Sequence, residues 1–218
     1  MGDPDGEFVL VDPAVRMRED MEALATAVQR HRGELVAVMF THRHSDHLAD
    51  MSLLREAFDV PVWGSEHTAL SVPCDRILQD GDVLALGEQS WTVLITPGHH
   101  PGHVCVLSDA GLVAGDMLAG IGTILIPPHS GDMNEYIVQL ERLKALKPHL
   151  VFPSHGPVVA VPDKLIDHYL KHRRARHARV LAAVQGGRSD LSSIAVEAYA
   201  DTPDAHPGLA VDPTLAHL

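Results

Sequence analysis

The chain has few cysteines, few aromatic residues and no long hydrophobic run. Two cysteines among 218 residues, Cys74 and Cys105, cannot form a disulfide framework, so we expect a reducing, cytoplasmic compartment. No stretch of about 18 apolar residues is present, so we expect no membrane-spanning helix. The first seven residues are acidic and glycine-rich, and we therefore expect no secretory signal.

Positive charge is also scarce. The 17 lysines and arginines face 29 aspartates and glutamates, which gives a formal net charge of −12. Loose binding to nucleic acid needs clustered cations, so this balance argues against it, although it leaves room for a local basic patch. Aromatic residues make up only 4% of the chain, so the platforms on which unpaired bases stack are scarce as well.

Histidine is abundant, with 16 residues, and many of them fall in short clusters. The densest cluster follows an apolar run at 34–41 that is typical of a strand buried on both faces. It holds four side chains of metal-ligand type: His42, His44, Asp46 and His47. Three more follow apolar runs and lie beside glycine: His99, Asp116 and His155. Because strand ends are rigid platforms, this pattern predicts one metal site built from four strand ends.

Strand-like and helix-like segments alternate as far as residue 160. Strand character is found at 8–12, 34–41, 60–65, 90–98 and 149–156, with a hairpin in 103–116. Helical spacing is found at 16–31, 48–58 and 134–147. This mixture predicts an α/β sandwich with helices outside and sheets inside.

After Pro162 the strand-like runs stop. Residues 163–185 and 189–200 read as helices, and a third helix is expected near the C-terminus. We therefore divide the chain into an α/β domain at 1–162 and a small helical region at 163–218.

The histidine and aspartate motifs resemble those of a known family. THRHSDH, TPGHHPGH, VAGD and PSHG follow one another between residues 41 and 156 and are similar to the successive metal motifs of the metallo-β-lactamase superfamily. The resemblance implies an αβ/βα sandwich with a site for two metal ions at one edge of the sheets. It implies that one ion is held by His42, His44 and His99, the second by Asp46, His47 and His155, with Asp116 bridging the two.

Three residues are assigned further roles beside this ligand set. Asp46 is taken as catalytic as well as a ligand. In TPGHHPGH the family pattern makes the first histidine the ligand, so His103 is expected to support the site from behind. Asp12 resembles the strand-end aspartate that orients ligands by hydrogen bonding, but a simple turn before Pro13 explains it equally well.

The ligand types suit two Zn²⁺ ions, and also iron or manganese. Two cations about 3.5–4 Å apart can bridge one water and lower its pKa toward roughly 7. The leading hypothesis is therefore a dinuclear zinc hydrolase that uses a metal-bridging hydroxide on a small-molecule ester or thioester, or on a phosphodiester. Neither a nucleophile elbow nor a phosphate loop offers another mechanism.

The C-terminal helices suggest an alternative substrate. Together with GDMNEYIVQLERLKAL they resemble the lactamase-beta-2-like branch, which has a winged-helix-like appendage and whose animal member cleaves single-stranded RNA. The basic helix offers three candidates for phosphate contact: Arg173, Arg174 and Arg176. The competing interpretation is a solvated helix face whose arginines pair with the acidic body.

The N-terminus leads to two further alternatives. Family members normally have more strands before the 8–12 run, so the N-terminal strands are expected to be shortened and a sheet edge open, which favours a homodimer. A reduced fold of this kind also fits a metal-stabilised module without turnover. Because first-row metals share these ligands, an iron-dependent oxygenase is the last alternative.

Overall fold

The computed structural model describes residues 1–3, 5–202 and 207–218, and it contains two sheets. The first sheet is parallel, in the order β1 (Glu7–Val11), β2 (Glu34–Met39), β3 (Val62–Gly64), β4 (Arg76–Ile77). The second has the order β5 (Val83–Leu86), β6 (Gln89–Ile95), β7 (Val104–Ser108), β8 (Gly111–Gly115), β9 (Val151–Pro153). Its neighbours are antiparallel except for β8 and β9, which run parallel.

The helices of the described ranges are α1 (Arg18–Arg30), α2 (Met51–Ala57), α3 (Glu66–Ala69), α4 (Met133–Ala145), α5 (Pro162–Gln185), α6 (Leu191–Ala198) and α7 (Pro207–Leu215). An aspartate side chain caps α2, α4 and α6 by accepting hydrogen bonds from first-turn amides: Asp50, Asp132 and Asp190. A proline at the first turn of α5 costs no helical hydrogen bond there.

Alternating side chains divide the strands between three apolar layers. Between the two sheets, Ala37 and Met39 of β2 pack with residues such as Val93 of β6. Val38, between them, packs with residues of α1 and α2. Leu94 of β6 and Tyr136 of α4 belong to the layer on the far side of the second sheet. Since period-two alternation buries both faces of both sheets, the predicted αβ/βα sandwich is confirmed.

The C-terminal region is helical, as predicted, over the part of 163–218 that the structure describes. No strand is assigned in 163–202 or 207–218, so a winged-helix appendage stays a prediction. The first half of α5 places Ile166 and Tyr169 in the same apolar layer as α4, whereas Val180 in its second half packs against Ile194 of α6. A boundary at 162–163 also stays a prediction.

The outer edge of β1 is partly covered. Residues 1–3 double back along it, with hydrogen bonds from the Val9 amide to the Met1 carbonyl and from the Asp3 amide to the Glu7 carbonyl. The expected open edge is therefore reduced, and a homodimer through it stays a prediction. Among the described residues, no helix is both long and apolar enough to cross a membrane.

Candidate metal centre

Four strand ends deliver the predicted ligands to one edge of the sandwich. The THRHSDH segment follows β2, His99 follows β6, Asp116 follows β8 and His155 follows β9. Although they come from distant parts of the sequence, the seven side chains lie close enough to form overlapping three-residue groups. The structure thus brings together every residue that the sequence predicted as a ligand.

The first group is a triangle of imidazole nitrogens from His42, His44 and His99. The distances are 2.9 Å from His42 Nε2 to His44 Nδ1, 2.8 Å from His44 Nδ1 to His99 Nε2, and 3.3 Å from His99 Nε2 to His42 Nε2. Three ring nitrogens at such distances cannot all be joined by hydrogen bonds, because each nitrogen offers either a proton or a lone pair.

Hydrogen bonds on the outer side of the rings decide which nitrogens offer lone pairs. His99 Nδ1 donates to the Leu125 carbonyl at 2.8 Å, which leaves the lone pair on Nε2. His42 Nδ1 lies 3.0 Å from Thr41 Oγ1, and that hydroxyl lies 2.6 Å from Asp12 Oδ2. Since the carboxylate can only accept, the threonine proton goes to Asp12 and His42 Nδ1 donates to Thr41. His42 and His99 therefore both turn lone pairs inward, as ligands of a cation do.

The second group contains Asp46, His47 and His155, with Asp116 between the groups. His155 Nε2 lies 3.5 Å from Asp46 Oδ2 and 3.4 Å from Asp116 Oδ1, and His47 Nε2 lies 3.4 Å from the same Asp116 oxygen. The other oxygen of Asp116, Oδ2, lies 3.5 Å from His99 Nε2 in the first group. One carboxylate thus presents an oxygen to each group, which is the arrangement that a bridging ligand requires.

Burial differs among the side chains of the centre. His42, His47 and His99 are buried, whereas the side chains of Asp46 and His155 are 60% and 47% exposed. Asp46 and His155 therefore form the open side of the centre.

The donor set fits divalent cations. Within the described part of the chain, His47 Nε2 and Asp116 Oδ1 are buried atoms that lack a hydrogen-bond partner, and both point into the second group. Leaving such polar atoms unpartnered is costly, and a cation between them removes the cost. Imidazole nitrogens with carboxylate oxygens are the donors that Zn²⁺, iron and manganese accept.

The electrostatics of the centre also favour a bound cation. Burial lowers the pKa of His42, and it lowers the pKa of His99 to about 4, so these rings are neutral and free to bind a cation. Burial also opposes protonation of His47, but the carboxylates of Asp116 and Asp12 outweigh it and raise its pKa to about 10. These carboxylates make this part of the centre a place that favours positive charge.

Asp12 orients His47 from outside the ligand set. Its Oδ2 accepts from His47 Nδ1 at 2.8 Å and its Oδ1 accepts from the Thr41 amide at 2.7 Å. Ser154 Oγ donates to Oδ2 at 3.3 Å and links the second sheet to the same carboxylate. These contacts support the orienting role over the simple turn, since one side chain holds a ligand and two strand ends.

His103 supports Asp116. The Asp116 amide donates to His103 Nε2 at 2.9 Å, so His103 Nδ1 carries the proton and donates to Thr96 Oγ1 at 2.8 Å. Gly115 has φ +50, and a Cβ there would lie 2.5 Å from His103 Nε2, so only glycine fits beside this ring. The neighbouring His100 is buried outside both groups and accepts from Arg43 Nε at 3.0 Å.

Two clefts meet at Asp46 and His155. The smaller, about 490 Å³, lies over the first group and Asp116 and is walled by residues 119–127. The larger, about 790 Å³, lies beside His47 and is lined by apolar side chains such as Trp91 and Phe152. Both volumes are in the range of small-molecule sites.

The predicted basic surface on α5 is not formed as expected. Arg173 and Arg176 are buried: Arg173 donates to the Ile124 carbonyl, and Arg176 donates to the Ala198 carbonyl and lies over the Tyr199 ring. Arg174 is exposed and pairs with a glutamate of α4. Because Arg173 and Arg176 are buried and hydrogen-bonded within the protein, their assignment to substrate contact is corrected. The assignment of Arg174 stays a prediction.

Sequence reasoning missed the residues that fix the wall of the smaller cleft. Tyr169 Oη accepts from the Ala119 amide at 2.9 Å and donates to the Gly122 carbonyl at 3.3 Å, while Arg173 holds the Ile124 carbonyl. A sequence signal for this existed, because Tyr169 and Arg173 share a helical face with the buried Val180.

An α/β sandwich with a cluster of histidine and aspartate side chains at its strand ends, able to hold metal ions, is typical of one class of metalloprotein. The family profile of the metallo-beta-lactamase superfamily matches residues 3–155, and the chain belongs to this superfamily.

Two hydroxyacylglutathione hydrolases are similar to this chain in sequence. A hydroxyacylglutathione hydrolase of Bdellovibrio bacteriovorus is 29% identical over 157 residues, which is 70% of this chain and 60% of that protein. A hydroxyacylglutathione hydrolase of Yersinia pestis is 36% identical over 143 residues, which is 63% of this chain and 52% of that protein. The chain thus covers a little over half of these relatives.

A solved structure has the same fold. The beta-lactamase domain protein from Burkholderia ambifaria superposes with a TM-score of 0.79 at 22% identity, over 96% of this chain and 75% of that one.

Proposed function

We propose that the protein is a dinuclear metal hydrolase that cleaves thioesters. The observation that carries the proposal is the position of Asp116, with one oxygen toward His99 and the other toward His47 and His155. The relatives named as hydroxyacylglutathione hydrolases support a thioester as the bond that is cleaved. Zinc is the proposed metal, because its borderline character suits this mixed set of ligands.

Each residue has a proposed part in this chemistry. His42, His44 and His99 would hold one ion, and Asp46, His47 and His155 the other, with Asp116 shared. The bound ions would supply a hydroxide at neutral pH and polarise the substrate carbonyl. Asp46 stands on the open side of the centre, where its exposed carboxylate can accept a proton from the reacting water and pass it to the leaving thiolate.

Single-stranded RNA is the weaker candidate. The basic helix motivated it, but Arg173 and Arg176 serve the protein interior and Arg174 is paired. A net charge of −12 opposes a polyanionic substrate further.

Thiol release from acyl thioesters tests the proposal. Zinc-loaded protein should hydrolyse an acyl thioester, a chelator should abolish the activity and added zinc should restore it. Loss of an outer-shell partner typically costs about 10–100-fold, so losing a ligand itself in Asp116→Asn should lower kcat/KM by at least about 100-fold. A matched control is Asp190→Ala, which removes the cap of α6 and should leave kcat/KM unchanged.

Two outcomes would contradict the proposal. One is a folded protein with stoichiometric zinc that releases no thiol from any thioester. The other is an Asp116→Asn variant as active as the control. Unstructured RNA should remain intact in parallel reactions, and its cleavage without thioester turnover would favour the nuclease.

A further inference from the structure

The wall of the smaller cleft exposes large aliphatic side chains next to the metal centre. Ile121 is 77% and Leu125 51% exposed, although apolar residues of this size usually pack into a core. Both line the cleft together with the ligands His44, His99 and Asp116. Apolar surface that converges with a few polar groups in a concave site is typical of ligand contact.

Hydrogen bonds anchor the wall of the smaller cleft. Tyr169 binds the Ala119 amide and the Gly122 carbonyl, and His99 Nδ1 donates to the Leu125 carbonyl. These contacts lie on both sides of Ile121, so its side chain is presented by a fixed loop. A preformed apolar wall binds a ligand without the entropic cost of ordering the loop.

The charge of the cleft walls bears on which substrate can bind. Among the described residues, neither lysine nor arginine lines the smaller cleft, and the same is true of the larger one. Two arginines lie at the loop that carries the first ligands. Arg43 lies within the loop and donates to His100 and Ser71, and Arg16 donates to the Ser45 carbonyl. The Met1 ammonium lines the larger cleft and donates to the Val9 carbonyl at 3.0 Å. An anionic substrate would lose hydration in the smaller cleft without gaining a lysine or arginine partner from its described residues.

We infer that the smaller cleft binds the uncharged aliphatic part of the substrate, which makes the substrate a neutral thioester with an aliphatic chain. Glutathione carries two carboxylates, and among the described residues neither cleft offers a lysine or arginine to receive them. The inference rests on the proposed function in one respect, which is that the cleft at the metal centre is the substrate site.

Binding of thioethers, which cannot be hydrolysed, tests the inference separately from turnover. Isothermal titration calorimetry on the protein as purified would compare S-hexyl-N-acetylcysteamine with its S-methyl counterpart and with S-hexylglutathione. Each buried methylene raises the binding affinity about fourfold. The neutral hexyl ligand should therefore bind at least about tenfold more tightly than the methyl one. It should also bind at least as tightly as S-hexylglutathione.

Variants locate the binding site. Ile121→Ser should weaken binding of the neutral hexyl ligand about fivefold, because part of the apolar contact is lost. The matched control is Val196→Ser on α6, which alters a side chain that is 62% exposed away from both clefts and should leave the affinity unchanged.

Several results would overturn the inference. They are tighter binding of S-hexylglutathione, equal affinities for the hexyl and methyl ligands, no detectable binding of the neutral hexyl ligand, or an Ile121→Ser variant that binds like the control. None of them depends on hydrolysis. Failure of the proposed function would instead show as absent thioester turnover.

Discussion

Replacing Asp12 with asparagine should weaken metal binding without touching a ligand. The carboxylate accepts from Thr41 through Oδ1 and from Thr41, His47 and Ser154 through Oδ2. Asparagine keeps the shape and tolerates the left-handed backbone at this position, where φ is 47. It has only one acceptor oxygen, so either the Thr41 amide or His47 Nδ1 must face an NH₂ group.

The magnitude follows from these contacts. A buried donor left without an acceptor costs about 1–3 kcal/mol, so the free energy of unfolding should fall by about that amount. Loss of a partner that orients a ligand typically lowers metal affinity about 10–100-fold, or about 1.4–2.8 kcal/mol. Zinc competition with a chromophoric chelator measures the affinity, and denaturant unfolding of the chelated protein measures the stability.

Asp190→Ala is the control for Asp12→Asn. It removes the hydrogen bond to the Ser193 amide at 2.9 Å and should cost about 1 kcal/mol of stability with no change in zinc affinity. If Asp12→Asn loses stability in the same way and binds zinc like the wild type, then Asp12 serves folding alone and the reasoning is refuted.

Two further predictions concern the protein outside the ligand set. Tyr169→Phe leaves the buried Ala119 amide without its acceptor and frees the Gly122 carbonyl, so unfolding should become easier by about 1–3 kcal/mol and KM for thioesters should rise. Unchanged unfolding and KM would show that α5 does not hold the cleft wall. Burial raises the pKa of the Cys105 thiol to about 12, so at pH 8 it stays protonated and a thiol reagent should label it only after unfolding, which mass spectrometry of native and unfolded samples measures. Labelling of native protein at Cys105 as fast as at the half-buried Cys74 would contradict this burial.

The ligand set could be predicted because its members follow apolar strands as short motifs. Strand ends meet at a sheet edge whatever the loops between them do, so His42 and Asp116 could be placed in one site from sequence. The hydrogen bonds that orient the imidazole rings could not be predicted from the sequence. The partner of His99 Nδ1, for example, is the backbone carbonyl of Leu125, and no side-chain pattern reveals such a contact.

The arginines of α5 show where composition misled the sequence reasoning. A dense run of positive charge predicted a surface, but Arg173 and Arg176 lie seven and four residues before Val180 and share its buried face. The helical spacing predicts that these two arginines are buried, whereas the density of positive charge suggested that they are exposed. The strand β5 was missed for a different reason, because a four-residue run before the turn at Gly87 is too short to stand out.

Elemental analysis of the purified protein, with the chain quantified independently, tests the central claim most directly. If the side chains of four strand ends form one centre for a pair of cations, the protein should carry two equivalents of metal per chain. Well under one equivalent on a folded chain, even after dialysis against zinc, would contradict the account.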